Sequence, residues 1–362
     1  MKILKNITTT TMVMALLLVS SLEARETKKV SNFSGSNFVE SSGTFDGNRI
    51  YADVTNNGLF LDYHISGDSA LEWPKGTGVH SIFQSALWMG ATVNGQIRTI
   101  VGDYTQDMGP GPYGGDPLAA VHRIYKVNKS MLDDPASHDD FQNWPTDWGA
   151  PWVDADGDGV YTPLPAGPDH PEFIGDQVIW FVSNDGDIAY KLNFGTDPMG
   201  VEIQTTMFGY DRIDAIGDML FVKQLVINKG ADDLVDTYMG LWSDPDLGYA
   251  GDDFVGCNVD LGMGYVWNDG ADSQYDNLDI GTPAAGYDFF QGPKVPCDDP
   301  TDPVECPAQG AKMFGTYFPG EKNLQMSSFA FYINGDITYT DPADEVEGLS
   351  LIHISEPTRL SV

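Results

Sequence analysis

Positive charge is what this sequence has least of. Nineteen Lys and Arg stand against 53 Asp and Glu in 362 residues, a formal net charge of −34. A surface this acidic repels phosphate, which disfavours nucleic-acid binding across the whole surface and docking on an anionic membrane. Cysteine is scarce as well. Cys257, Cys297 and Cys306 are the full set, and no C-x-x-C pair exists to build a zinc or redox motif. No segment holds a sustained 3.6-residue apolar period, which argues against a helical bundle. The G-x-S-x-G nucleophile turn, the H-E-x-x-H zinc motif and the phosphate-binding P-loop are absent. His64, His80, His122, His138 and His170 are scattered singly, without metal spacing. Together these absences weigh against an enzyme without deciding the matter.

Forty Gly, 22 Pro and 12% aromatic residues are present, the composition of short strands joined by tight turns with ample material for a core. Asn94-Gly95 between Ile82 to Val93 and Gln96 to Val101 is the strongest hairpin signal, because Asn-Gly supplies the positive φ angles of a type I′ turn. Asn56-Asn57-Gly58 gives a second hairpin signal, and Lys229 to Asp233 a third, between Leu220 to Asn228 and Val235 to Trp242. Val178 to Ser183 reads as a buried strand. In Val235 to Trp242 both faces carry large side chains, so this strand is expected at a covered sheet centre. A short helix is expected near Ser137 to Asn143. The fold class that follows is all-β, a β-sandwich with long acidic Gly/Pro-rich loops, either one large sandwich or two in succession. The expected division is a β-rich domain over 44–190 and a β-sandwich domain over 191–348.

The ends differ in texture from the body. Lys2 and Lys5, the apolar run Met12 to Val19 and the small residues Ser20, Ser21 and Ala24 read as a secretory signal peptide over 1–24. A flexible lead-in, 25–43, follows. The expected location is therefore secreted or at the cell surface, with no membrane span in the mature chain. Leu349 to Arg359 resembles the translation of a transposase adapter used in preparing sequencing libraries. Residues 349–362 are therefore read as an artefact, and the natural chain is expected to continue past Gly348. Cys297 and Cys306 flank an acidic loop that a disulfide can close. Cys257 lies in an apolar stretch and reads as a small buried residue.

Chemistry concentrates in acidic turns. Asp154, Asp156 and Asp158 alternate through Asp154-Ala155-Asp156-Gly157-Asp158-Gly159-Val160, with a Gly where the chain must curl and the Val160 carbonyl placed to add a ligand. Hard oxygen donors of this kind suit Ca2+. Position twelve of the loop is Pro165 rather than Glu, so this is no EF-hand, and Asp169, Glu172 or Asp176 is left to close the shell. A second cluster, Asp244 and Asp246 with Asp252 or Asp253, follows one strand and precedes another. It reads equally as a cation site or as a polar loop. A catalytic carboxylate pair for glycoside cleavage is a third reading, but so many Asp residues offer no particular pair. Trp144, Trp148 and Trp152 suit packing of a long loop better than a sugar-stacking platform.

Several short motifs occur in sequence along the chain. They are Trp73-Pro74-Lys75-Gly76-Thr77-Gly78, Ala86-Leu87-Trp88-Met89-Gly90, the Asp154 to Tyr161 loop, Gly175-Asp176-Gln177 and Gly200-Val201-Glu202-Ile203. Then come Gly240-Leu241-Trp242-Ser243-Asp244-Pro245-Asp246-Leu247-Gly248 and Val255-Gly256-Cys257. The series resembles the N-terminal region of large secreted Bacteroidetes-type surface proteins, which end in a type IX secretion sorting domain. The resemblance covers roughly residues 44–334. It implies export and surface attachment or release, and it carries no catalytic residue. The expected function is a Ca2+-stabilised, non-catalytic structural or adhesive region, with glycans or other surface proteins as partners. The alternative is a polysaccharide-binding module or a glycan-acting hydrolase.

Overall fold

A computed structural model of the chain describes residues 12–18, 41–62, 69–193 and 196–333. The rest of the expected leader, most of the lead-in, His64 and the 349–362 tail lie outside the described residues. The fold is all-β, built mainly of small antiparallel sheets. Among the described residues the one α-helix is the four-residue turn Asp139–Gln142, where the sequence places a short helix. Two compact units divide the described chain, one of residues 41–62, 69–86, 102–193 and 196–231, the other of 12–18, 87–101 and 232–333. The boundary expected at 190/191 falls inside the first unit. Gln177–Asn184 pairs antiparallel with Val201–Gly209 across it, from Gln177 opposite Gly209 to Asn184 opposite Glu202. Even spacing of strands along a sequence does not say which of them pair.

The main sheet of the first unit runs in the order Tyr125–Asn128, Gln177–Asn184, Val201–Gly209, Phe221–Asn228, with Gly109–Pro110 also paired to Gln177–Asn184. Every residue of Gln177–Asn184 is buried, as its apolar run requires. Alternation along that strand turns Val178, Trp180 and Val182 to one side, where they pack with Tyr125, Val127, Phe141, Trp144 and Ala150. Burying side chains of this size stabilises the unit by about 1.5–3 kcal/mol each. This core anchors the loop-rich middle of the chain. Beyond it Trp152–Val153 pairs with His170–Pro171, Trp152 opposite Pro171 and Val153 opposite His170.

In the second unit the sheet order is Met326–Ile333, Met12–Leu18, Val235–Asp244 and residues 87–93 of Gln84–Val93, with Gln96–Ile100 alongside the last. Met12–Leu18 runs parallel to both neighbours. Val235–Asp244 is central, as its two apolar faces require, and the fully buried Trp242 stacks on Trp88 with ring centroids 6.0 Å apart. The Asn94-Gly95 hairpin forms as expected: Val93 faces Gln96, and Asn94 and Gly95 take φ of 52° and 78°. The hairpin expected at Lys229 to Asp233 does not form. Phe221–Asn228 spends its ladder on Val201–Gly209, and Val235–Asp244 belongs to the second unit. The Gly200 carbonyl accepts both the Lys229 and Gly230 N–H groups, which turns the chain out of the sheet. At Asn56 to Gly58 the chain does reverse, with Asp62 N–H on the Asp53 carbonyl at 3.2 Å. Tyr51–Thr55 and Leu59–Leu61 nevertheless enter different sheets. Cys297 and Cys306 are joined by a disulfide across a Cα separation of 5.6 Å. Cys257 is a free, half-buried thiol.

Candidate metal centre

The short Trp152–Val153 and His170–Pro171 ladder sets the geometry of the first acidic loop. Asp154 leaves one of these strands and Asp169 enters the other, so residues fifteen apart in sequence are brought together at one bend. Tyr161 ties the loop down: its hydroxyl donates to the Phe141 carbonyl at 2.7 Å, and its ring meets Trp152 edge-on. Within the loop the carboxylates take up backbone donors. Asp154 accepts from Gly157 N–H at 2.7 Å and Gly159 N–H at 3.0 Å. Asp158 accepts from Val160 N–H at 2.8 Å. Gly157 and Gly159 sit at φ of 78° and 76°, the left-handed region that a Cβ disfavours.

Asp169 is fully buried. Its two oxygens accept from Ala155 N–H at 3.0 Å and Thr162 N–H at 2.7 Å. Asp154, Asp156 and Asp169 each bring an oxygen within 4.8 Å of the other two, the one group of three or more such side chains that converges among the described residues. Two of the three carboxylates expected from the alternating spacing are thus in the cluster, and Asp169 closes it. Asp158 lies outside the cluster, and Val160 is exposed beside it. Asp176 faces elsewhere, accepting from Asp211 N–H, and Glu172 is exposed outside the group. The Asp156 carboxyl is held down by the Asp158 N–H. Desolvation and the charges of Asp158, Asp169 and Asp154 outweigh that bond and leave its pKa raised.

The second cluster is built differently. Asp244 and Asp246 are buried, while Asp252 is exposed and accepts from the Asn268 side-chain amide at 2.7 Å. Asp253 accepts from Leu247 N–H at 3.0 Å through one oxygen, and its other oxygen is buried without a hydrogen bond. Burial pushes its pKa up to about 7, the Leu247 N–H opposes this, and the charges of Asp246, Asp252 and Asp272 add to it. The four residues singled out in the sequence do not converge as the first cluster does. Asp272 is the member that sequence reasoning missed. Fully buried, it accepts from Tyr249, Gln274 and Tyr275 N–H groups. Gly248, at φ 72°, makes room for it, since a Cβ there would stand 2.3 Å from an Asp272 oxygen. Nothing in the spacing between Gly248 and Asp272 signals this approach.

The three Trp residues of the middle stretch separate. Trp144 is buried in the core, Trp152 packs on Tyr161, and Trp148 is half-buried against the edge of His122. Among the described residues no helix is long and apolar enough to cross a membrane. Comparison with protein-family models, with curated proteins and with solved structures finds no match to this chain.

Proposed function

We propose that this chain is an exported, non-catalytic structural or adhesive region of the cell surface or extracellular space, held stiff by Ca2+ at Asp154, Asp156 and Asp169. The observation that carries the reading is the convergence of these three carboxylates at one bend. Carboxylate oxygens around a single point repel one another until a hard divalent cation is shared among them. The buried Asp169, already fixed by two backbone N–H groups, supplies a preformed anchor. Export by the N-terminal leader, and by a type IX route, rests on the leader's charge and apolar pattern and on the resemblance of the motif series; against it stands the pairing of Met12–Leu18 between Val235–Asp244 and Met326–Ile333, a place that cleavage would vacate. The second acidic cluster is a weaker claimant, because two of its carboxylates are buried and the group does not converge.

The test is thermal melting of the full chain with and without millimolar Ca2+. A cation bound only to the folded state raises the Tm. The Asp154→Asn, Asp156→Asn double variant is expected to lose that rise while melting near the wild-type temperature in chelator. A wild-type Tm indifferent to Ca2+ would overturn the reading.

A further inference from the structure

The three-stranded sheet of the second unit, Asp253–Asn258, Met263–Asn268 and Ala285–Asp288, has two unlike faces. Alternation places Val255, Cys257, Val266 and Tyr287 on one of them. Val266 is buried, and Val255, Cys257 and Tyr287 pack, with Phe329, against the buried Met326. The opposite face carries Phe254, Tyr265 and Trp267, which no acidic loop uses. Register brings them together: Phe254 is opposite Trp267, and Tyr265 has Gly256 on one side and Gly286 on the other. Phe254 is 49% exposed and Trp267 36%. The ring centroids stand 5.9 Å apart for Phe254 and Trp267, and 5.4 Å for Tyr265 and Trp267.

The glycines matter to the shape of this face. A Cβ on Gly256 would meet the Tyr265 ring at 3.1 Å and the Trp267 ring at 3.2 Å. The two rings therefore lean over bare backbone instead of standing upright between neighbours. Gly286 is exposed and leaves the other flank of Tyr265 clear. A row of three contiguous aromatic side chains on a solvent-facing sheet is an interaction surface rather than scattered exposure.

Charge narrows what covers it. Residues 232–333 contain three cations, Lys294, Lys312 and Lys322. Lys294 pairs with Glu321, Lys322 with Glu305, and Lys312 lies over the Tyr317 ring. A carboxylate borders the rings instead: exposed Asp252, held by Asn268, stands beside Phe254 at the Phe254–Trp267 end. Nucleic-acid bases also stack on such rings, but their phosphates meet a strongly negative surface. An anionic membrane, or a second copy of this chain with the same net charge of −34, meets the same repulsion. An uncharged sugar chain does not. Its apolar C–H faces stack on aromatic rings, a hydroxyl can donate to the exposed Asp252 carboxylate at the rim, and successive ring contacts follow one extended strand of polymer.

We infer that Phe254, Tyr265 and Trp267 form a stacking platform for an uncharged polysaccharide. The inference goes beyond the cation-held scaffold and stands on different side chains. The test is affinity electrophoresis and pull-down of the full chain against neutral polysaccharides, namely cellulose, chitin, mannan and starch, in Ca2+ and again in chelator. Binding to at least one polymer is expected. It should fall about tenfold or more in Trp267→Ala and in Phe254→Ala, as loss of one stacking contact implies, and be partly kept in Trp267→Phe. Both positions are exposed, so their melting temperatures should stay near wild type and separate lost binding from lost fold. Binding that survives chelator while the Tm responds to Ca2+ keeps the two proposals apart. Failure to retain any of these polymers, or retention unchanged in the Trp267→Ala, Phe254→Ala double variant, would overturn the inference. So would a concentration-dependent dimer that the double variant abolishes, since a second copy would then own the face.

Discussion

The two acidic clusters have similar composition and opposite construction. At Asp154, Asp156 and Asp169 the backbone donors of one tight loop hold carboxylates around a shared point, two of them open to water. At Asp244, Asp246, Asp253 and Asp272 most of the carboxylates are buried, and at Asp253 burial above all, with neighbouring charges adding to it, keeps the proton on to a higher pH. Repulsion between like charges has two outlets, a cation or a proton. Convergence with open access favours the first, and burial without convergence favours the second.

The sharpest way to break this contrast is to remove the buried anchor. Asp169→Ala leaves the Ala155 and Thr162 N–H groups without their acceptor, so a loss of about 2–4 kcal/mol is expected by chemical denaturation. It should also abolish any Ca2+ response. The next effect in size is the Ca2+ gain itself. At a free concentration a hundredfold above Kd it amounts to about 2.7 kcal/mol, and Asp156→Asn should remove most of it.

Asp253 supplies a smaller effect of the proton kind. Its folded pKa, about 7, lies above the ordinary carboxylate value. Below that ordinary value the group is protonated in both states and costs nothing. Between there and about pH 7 the folded state binds more protons than the unfolded one, so stability falls as pH rises, and the loss is complete above about 7. Asp253→Asn should therefore stabilise the chain at pH 8 by about 1–2 kcal/mol after allowance for solvent screening, and hardly at all near pH 4. Unfolding curves for both chains at the two pH values check this. Least affected should be Asp158→Asn, whose side chain stands outside the converging group. A change within about 0.5 kcal/mol and an intact Ca2+ response are expected, measured by melting beside Asp156→Asn.

Local signals were legible where the chain's own chemistry decides the outcome. Asn94-Gly95 makes a turn because both residues accept positive φ, and Val178 to Val182 is buried because no polar residue interrupts it. The Asp-Gly alternation at 154–159 marks a tight loop for the same reason. Pairing beyond that one hairpin was not legible. Lys229 to Asp233 has the composition of a hairpin, yet the strands it joins find partners elsewhere. Spacing could offer Asp169 only as one of three candidates beside Glu172 and Asp176, and Asp272 not at all, since tertiary contacts deliver both: a two-residue ladder in one case and the clearance at Gly248 in the other. The aromatic face escaped for a further reason. Phe254, Tyr265 and Trp267 look like ordinary core residues until the register shows that Val255, Cys257 and Val266 fill the core from the other side.

Calorimetric titration of the full chain with Ca2+, run beside the Asp154→Asn, Asp156→Asn variant, addresses the central claim most directly. One site per chain in the wild type and none in the variant is the expected result. An absence of heat in the wild type, or a site that persists undiminished in the variant, would contradict it.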